Sequence, residues 1–84
     1  MKKDLREYDH LEIQDMPDDE FMSYTKQELI DFIVFQSEII KEYDVFMPIE
    51  IAEQFKNKTK KNLISHIWNQ SIKIHELEMK SFGE

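Results

Sequence analysis

The sequence predicts an all-α fold, and three observations carry the prediction. First, residues 25–43 place Leu29, Ile33, Gln36, Ile40 and Tyr43 at spacings of three and four, the pattern of a helix with one buried face. Second, Thr25 with Glu28 three residues later has the form of a capping box, in which the threonine oxygen and the glutamate satisfy free N–H groups at a helix start. Third, the same stretch recurs. Laying 25–43 on 59–77, an offset of 34, matches nine of 19 positions without a gap: Thr25/Thr59, Lys26/Lys60, Leu29/Leu63, Ile30/Ile64, Ile33/Ile67, Gln36/Gln70, Ser37/Ser71, Ile40/Ile74 and Glu42/Glu76. Two repeats are too few for an open solenoid, so a closed arrangement follows. The expected domain is a small four-helix bundle-like body of two similar short-helix/long-helix units, preceded by a loosely ordered N-terminal arm.

Taken in order, residues 1–15 are highly charged, with Leu5, Tyr8, Leu11 and Ile13 as the chief apolar groups. They read as a poorly ordered tail or an arm docked on the body. The first unit spans 16–43. Pro17 suits the first position of a helix, where its missing N–H costs nothing, and Asp18, Asp19 and Glu20 complement the positive end of the helix dipole. A short helix should begin there, with Phe21 and Met22 as its apolar contacts. The long helix follows from about Thr25 to Glu42. Ile30, Phe32, Val34, Phe35 and Ile39 spread apolar surface around most of its circumference, so it needs several neighbours. The second unit spans 44–80. Met47 and Pro48 repeat the Met16 and Pro17 pair and predict a second short helix, with Ile49, Ile51, Ala52 and Phe55 apolar. After a polar turn at 56–58, Thr59 caps a final long helix to about Lys80, and 81–84 are expected to fray.

Eighty-four residues make one domain, 1–84. A chain of this size buries about 60–65% of its unfolded surface, so its stability rests on good packing or on an oligomer. There is no cysteine, which removes disulfides, thiolate metal ligands and thiol nucleophiles, and fits a reducing, cytoplasmic setting. No apolar run approaches the ~18 residues of a membrane span, and the opening residues form no signal-peptide core. Ten Lys against one Arg, and eleven Ile against one Ala, is the usage of AT-rich bacterial genomes and their mobile elements. Charge is uneven along the chain. Residues 1–54 carry 15 acidic and five basic side chains, net −10, whereas 55–84 carry three and six, net +3. The total of −7 argues against a nucleic-acid binder, since each neutralised phosphate needs a cation.

Several chemistries are excluded. The lone glycine, Gly83, leaves neither a P-loop nor a dinucleotide fingerprint. His10, His66 and His75 have no partner at metal-ligand spacing on one helix face, and no metal or other cofactor is called for. The carboxylates of Asp18, Asp19 and Glu20 are explained by the helix start, so no acid–base pair stands out and no enzyme is expected.

Three groups remain as candidate binding residues. Glu12, Asp15, Asp18, Asp19 and Glu20 make an acidic face for a basic site on a partner. Phe35 and Trp68 are candidate interface anchors. Trp68 lies with Ile64, Ile72 and Met79 on a second apolar stripe of the last helix, for which core packing is the expected role because exposure would leave a large apolar patch. Lys56, Lys58, Lys60 and Lys61 crowd the start of the last helix and oppose its dipole, so an anion should meet them there. That anion is either a phosphate or, as the favoured reading, the acidic 12–20 segment folded across. Gln36 and Gln70, set in the apolar faces, are expected to bond each other or a backbone carbonyl. Residues 48–68, through their Lys-rich segment followed by Leu63 and Ile64, resemble the helix–extended–helix DNA-binding modules of the SAP family, with a connection at 56–58 shorter than that family's loop. The resemblance implies a nucleic-acid-binding regulator working through the lysines. The reading favoured by charge is a non-enzymatic interaction module: a small acidic inhibitor or adaptor of the phage or mobile-element type, such as a DNA mimic, an anti-restriction or anti-CRISPR factor or a nuclease immunity protein. Its partner would be a larger protein with a basic surface, such as a nucleic-acid-handling enzyme. A structural homodimer subunit is the third alternative.

Overall fold

The structure, a computed structural model, describes residues 3–82. Among these it is all-α, with no strand. Four α-helices, α1 (His10–Asp15), α2 (Asp18–Met22), α3 (Lys26–Tyr43) and α4 (Lys60–Phe82), are joined by short 3-10 turns at Leu5–Glu7 and Ala52–Phe55. The two long helices form the main interface. α1 and α2 lie on α4, and both 3-10 turns lie on α3. No helix of the described residues is long and apolar enough to cross a membrane.

Local chemistry accounts for most boundaries. Thr25 Oγ1 accepts the N–H of Glu28 at 3.1 Å while the Glu28 carboxylate takes the N–H of Thr25 at 2.8 Å, closing the capping box that starts α3. Thr59 Oγ1 accepts the N–H of Asn62 at 3.2 Å at the start of α4. α2 begins after Pro17 with Asp18, Asp19 and Glu20 in its first turn. Ser81 and Phe82 continue α4 instead of fraying, and Gly83 and Glu84 lie outside the described residues.

From the first described residues onward the N-terminal segment docks on the body, the second of its two readings, in place of a loose tail. Asp4 with Glu7, and Asp9 with Glu12, each form a complete capping box. Leu5 and Ile13 are buried in the same core as Leu29, Ile33, Leu63 and Ile67. Burying those two side chains offsets the cost of ordering the arm, on the order of 2 kcal/mol each.

The second short helix is also corrected. Only Ala52–Phe55 turns, as a 3-10 segment; residues 48–51 form no helix, and Ile51 has extended backbone. Pro48 disfavours helical backbone at Met47. Two tertiary contacts then hold the chain in place: the N–H of Glu50 donates to Ser37 Oγ at 3.2 Å, and the Glu50 carboxylate meets His66 Nε2 at 2.8 Å. Ile49 and Ile51 are exposed, so no apolar face rewards a helix there.

Residues 34 apart share their surroundings. Leu29 and Leu63, Ile33 and Ile67, Gln36 and Gln70, Ser37 and Ser71, Ile40 and Ile74 are all buried, and so are Phe21 and Phe55. Ser37 Oγ donates to Val34 O and Ser71 Oγ to Trp68 O, both at 2.7 Å. Lys26 Nζ donates to the carbonyl of Lys56, and Lys60 Nζ donates to the carbonyl of Met22 at 3.1 Å, so that donors and acceptors alike differ by 34. The short element of each half thus sits on the long helix of the other: α2 on α4, and Ala52–Phe55 on α3.

Candidate interaction groove

Between α2 and α4 run two adjoining hollows of about 430 and 240 Å³ that share Asp18, Ile64 and Ser65. Met16, Phe21, Ile64 and Trp68 supply the apolar lining, Asp18 stands at the middle, and Lys61 closes one end. Ile64 and Trp68 lie one helical turn apart on α4 and therefore share a face. Phe21 reaches the groove because Pro17 and the acidic first turn begin α2 opposite that face. Trp68 is not the core residue that its stripe implied. It is 45% exposed, and Met79 on the same stripe is exposed too; only Ile64 is buried. The indole Nε1 donates to the carbonyl of Gln14 at 3.3 Å, which holds the ring at the groove edge.

All five acidic candidates are exposed. Glu12 is occupied in capping α1, where its carboxylate takes the N–H of Asp9 at 3.2 Å. Asp15, Asp18 and Asp19 form no ion pair among the described residues. Glu20 belongs to the same turn, and its negative charge contributes to raising the Tyr24 phenol. Burial is the chief cause of that shift, with hydrogen bonding to Tyr8 next, and together they push the phenol up to about 12.

The four lysines have separate engagements among the described residues. Lys56 pairs with Glu53 at 3.2 Å, Lys60 reaches the Met22 carbonyl, Lys58 is solvated, and Lys61 lines the groove. No carboxylate of the 12–20 segment comes within ion-pair range of any of them among the described residues. The acidic segment lies beside α4, but it is not neutralised there. Residues 48–68, a non-helical stretch, then a 3-10 turn, then α4, do not form a helix–extended–helix unit.

Phe35 lies apart from Trp68. It is half-buried, stacks on Phe32 with centroids 6.1 Å apart, and lines a separate hollow of about 410 Å³ with Tyr8, Ile39 and Ile74. Over that hollow His10 Nε2 meets Glu78 at 3.2 Å and its ring lies 5.2 Å from that of His75. Sequence spacing could not reveal these histidine contacts, because the partners come from different elements. Among the described residues no group of three or more His, Asp or Glu could hold a metal ion. Gln36 Nε2 donates to the Ile67 carbonyl at 3.3 Å, while the Oε1 atoms of Gln36 and Gln70 are buried without a partner.

Comparison with known proteins finds no match to this chain: no protein family, no characterised protein and no solved structure resembles it significantly.

Proposed function

We propose that this chain is a non-enzymatic interaction module that docks a basic, apolar segment of a larger partner in the α2–α4 groove. The observation that supports the reading most is the half-exposed Trp68, fixed by Gln14 at the edge of an apolar groove lined by Asp18, which forms no ion pair among the described residues. Trp residues in partly desolvated pockets dominate many interfaces, and unpaired carboxylates around them select a cationic partner and speed its approach. A small acidic inhibitor or adaptor from a mobile element, acting on a nucleic-acid-handling enzyme in the cytoplasm, is the fuller form of this proposal. The scaffold it rests on is a bundle of two like units, supported by the burial and hydrogen bonds shared at spacing 34.

Trp68 emission provides the test. Titration with a Lys/Leu amphipathic helical peptide should shift the emission to the blue and saturate, whereas a Glu/Leu peptide of the same pattern should leave it unchanged. Reversing Asp15, Asp18 and Asp19 to Lys should abolish the response without altering the circular dichroism, since exposed charges contribute about 0.5 kcal/mol each or less. Unchanged saturation by the triple variant would sink the proposal. Salt-sensitive binding of duplex DNA in place of the peptide would favour the lysines instead.

A further inference from the structure

We infer that residues 43–51 are a self-association surface, through which two copies of the chain pair. Phe46 is 93% exposed, and Tyr43, Val45, Met47, Ile49 and Ile51 stand exposed around it. This exposure does not come from slack chain. Asp44 Oδ1 accepts the N–H of Phe46 at 3.2 Å, and the N–H of Met47 donates to Asp44 O at 3.1 Å, so a capped turn presents the phenylalanine at its tip. Pro48 restricts the backbone beyond it. The part that follows is then pinned to α3 by Ser37 and to α4 by His66. An apolar segment held rigidly in solvent has already lost the freedom that binding would otherwise remove.

Area and charge select the occupant. From their fractional exposures, the six side chains leave on the order of 600 Å² in solvent, close to the ~800 Å² that each partner contributes to a standard stable interface. That figure is at the upper end of what a monomer ordinarily exposes in one patch. The carboxylates within 44–53 are all engaged inside the chain: Asp44 with the Phe46 N–H, Glu50 with His66, and Glu53 with Lys56. Glu50 and Glu53 each face a basic side chain, and Asp44, which keeps its negative charge, lies at the start of the segment, so the surface offered to a partner is chiefly apolar and a two-fold pairing sets few like charges together. The groove beside α2 differs on this point, because Asp18 in its lining has no ion-pair partner among the described residues. A second copy, related by a two-fold axis so that each Phe46 packs on the other's 45–51 segment, satisfies both requirements. His66 leaves α4 on the side away from Ile64 and Trp68, by the helical angle between them, so the seam and the groove can be occupied together.

The test is sedimentation of the full chain from low micromolar to near-millimolar concentration. The mass should rise from the 10.3 kDa monomer toward twice that value. Phe46→Asp should weaken pairing at least about tenfold, the loss expected of a central aromatic anchor. Ile51→Asp should weaken it too, and Trp68→Ser should not. Circular dichroism of the two seam variants should match the parent, because both residues are exposed. A parent that stays monomeric throughout, or seam variants that pair as the parent does, would overturn the inference. Flotation of a monomeric parent with phosphatidylcholine vesicles would overturn it in favour of a membrane-surface role for the same residues.

Discussion

The indole of Trp68 and the backbone of Gln14 are joined by a hydrogen bond of 3.3 Å, so a half-exposed ring on α4 fastens the end of α1. Removing it should be far milder than removing a core tryptophan. Trp68→Ala is expected to cost about 1–2 kcal/mol, a lost hydrogen bond plus partial burial, against the ~3–5 kcal/mol of a fully buried aromatic. Thermal melting should stay cooperative, while the response to the basic peptide disappears. Loss of cooperative folding in this variant would return Trp68 to the core.

Gln36 and Gln70 carry buried carbonyl oxygens without partners, and an orphaned acceptor costs ~1–3 kcal/mol of desolvation. Methionine has a similar volume and no such oxygen. Gln36→Met and Gln70→Met should each raise the denaturant midpoint, by on the order of 1 kcal/mol, with the slope of the transition unchanged. Gln36→Met gives up the bond to the Ile67 carbonyl, but that carbonyl keeps its place in the helical ladder of α4. A lowered midpoint in both variants would mean that the amides stabilise the core.

Each half covers the other's long helix, so neither half should fold by itself. Peptides covering 1–44 and 45–84 are expected to show weak helical circular dichroism apart, and to regain it with a shift in Trp68 emission when mixed. Full helicity in either peptide alone would contradict the exchange of α2 and Ala52–Phe55 between the long helices.

Tyr24 gives the chain an alkaline limit. Its phenol is buried and donates to the Lys3 carbonyl, and its folded value of about 12 lies above the ~10 of an unfolded tyrosine. A raised value means that the folded state holds the proton more tightly. The stabilisation is therefore complete below pH ~10 and is lost as pH rises toward 12. Alkaline unfolding followed by tyrosinate absorbance should show Tyr24 ionising last, together with loss of helix. Tyr24→Phe should remove that part of the pH dependence.

What could be read ahead of the structure was what short-range chemistry decides. The Thr25 and Thr59 caps, the buried faces through Leu29 and Leu63, and the acidic start of α2 all depend on neighbours within one or two turns. The order of the arm was legible by the same signal, since Asp4 with Glu7 and Asp9 with Glu12 repeat the spacing of Thr25 with Glu28. Sparse apolar content concealed it, because only Leu5 and Ile13 are buried there. The segment 48–51 was not legible. Its local pattern suits a helix, and Ser37 and His66, 13 and 16 residues from Glu50, hold it out of one. Of the candidate site residues, Asp18 and Trp68 share the groove for a reason outside either one's local sequence, namely where α1 and Gln14 come to rest on α4. Phe35 is apolar as read but belongs to another hollow, and in the lysine cluster the Met22 carbonyl engages Lys60 and Glu53 engages Lys56, contacts that its spacing could not show.

The reciprocal bonds from Lys26 to Lys56 and from Lys60 to Met22 have a consequence for synthesis. A ribosome delivers α3 well before α4, and during that interval the apolar side of α3 has only the N-terminal segment, through Leu5 and its neighbours, to cover it. Leu29 and Ile33 complete their surroundings only after Leu63 and Ile67 have been added. The nascent chain thus presents a chaperone-accessible helix for the time needed to add some tens of residues, and slowing translation within the 44–59 connection should lengthen that exposure.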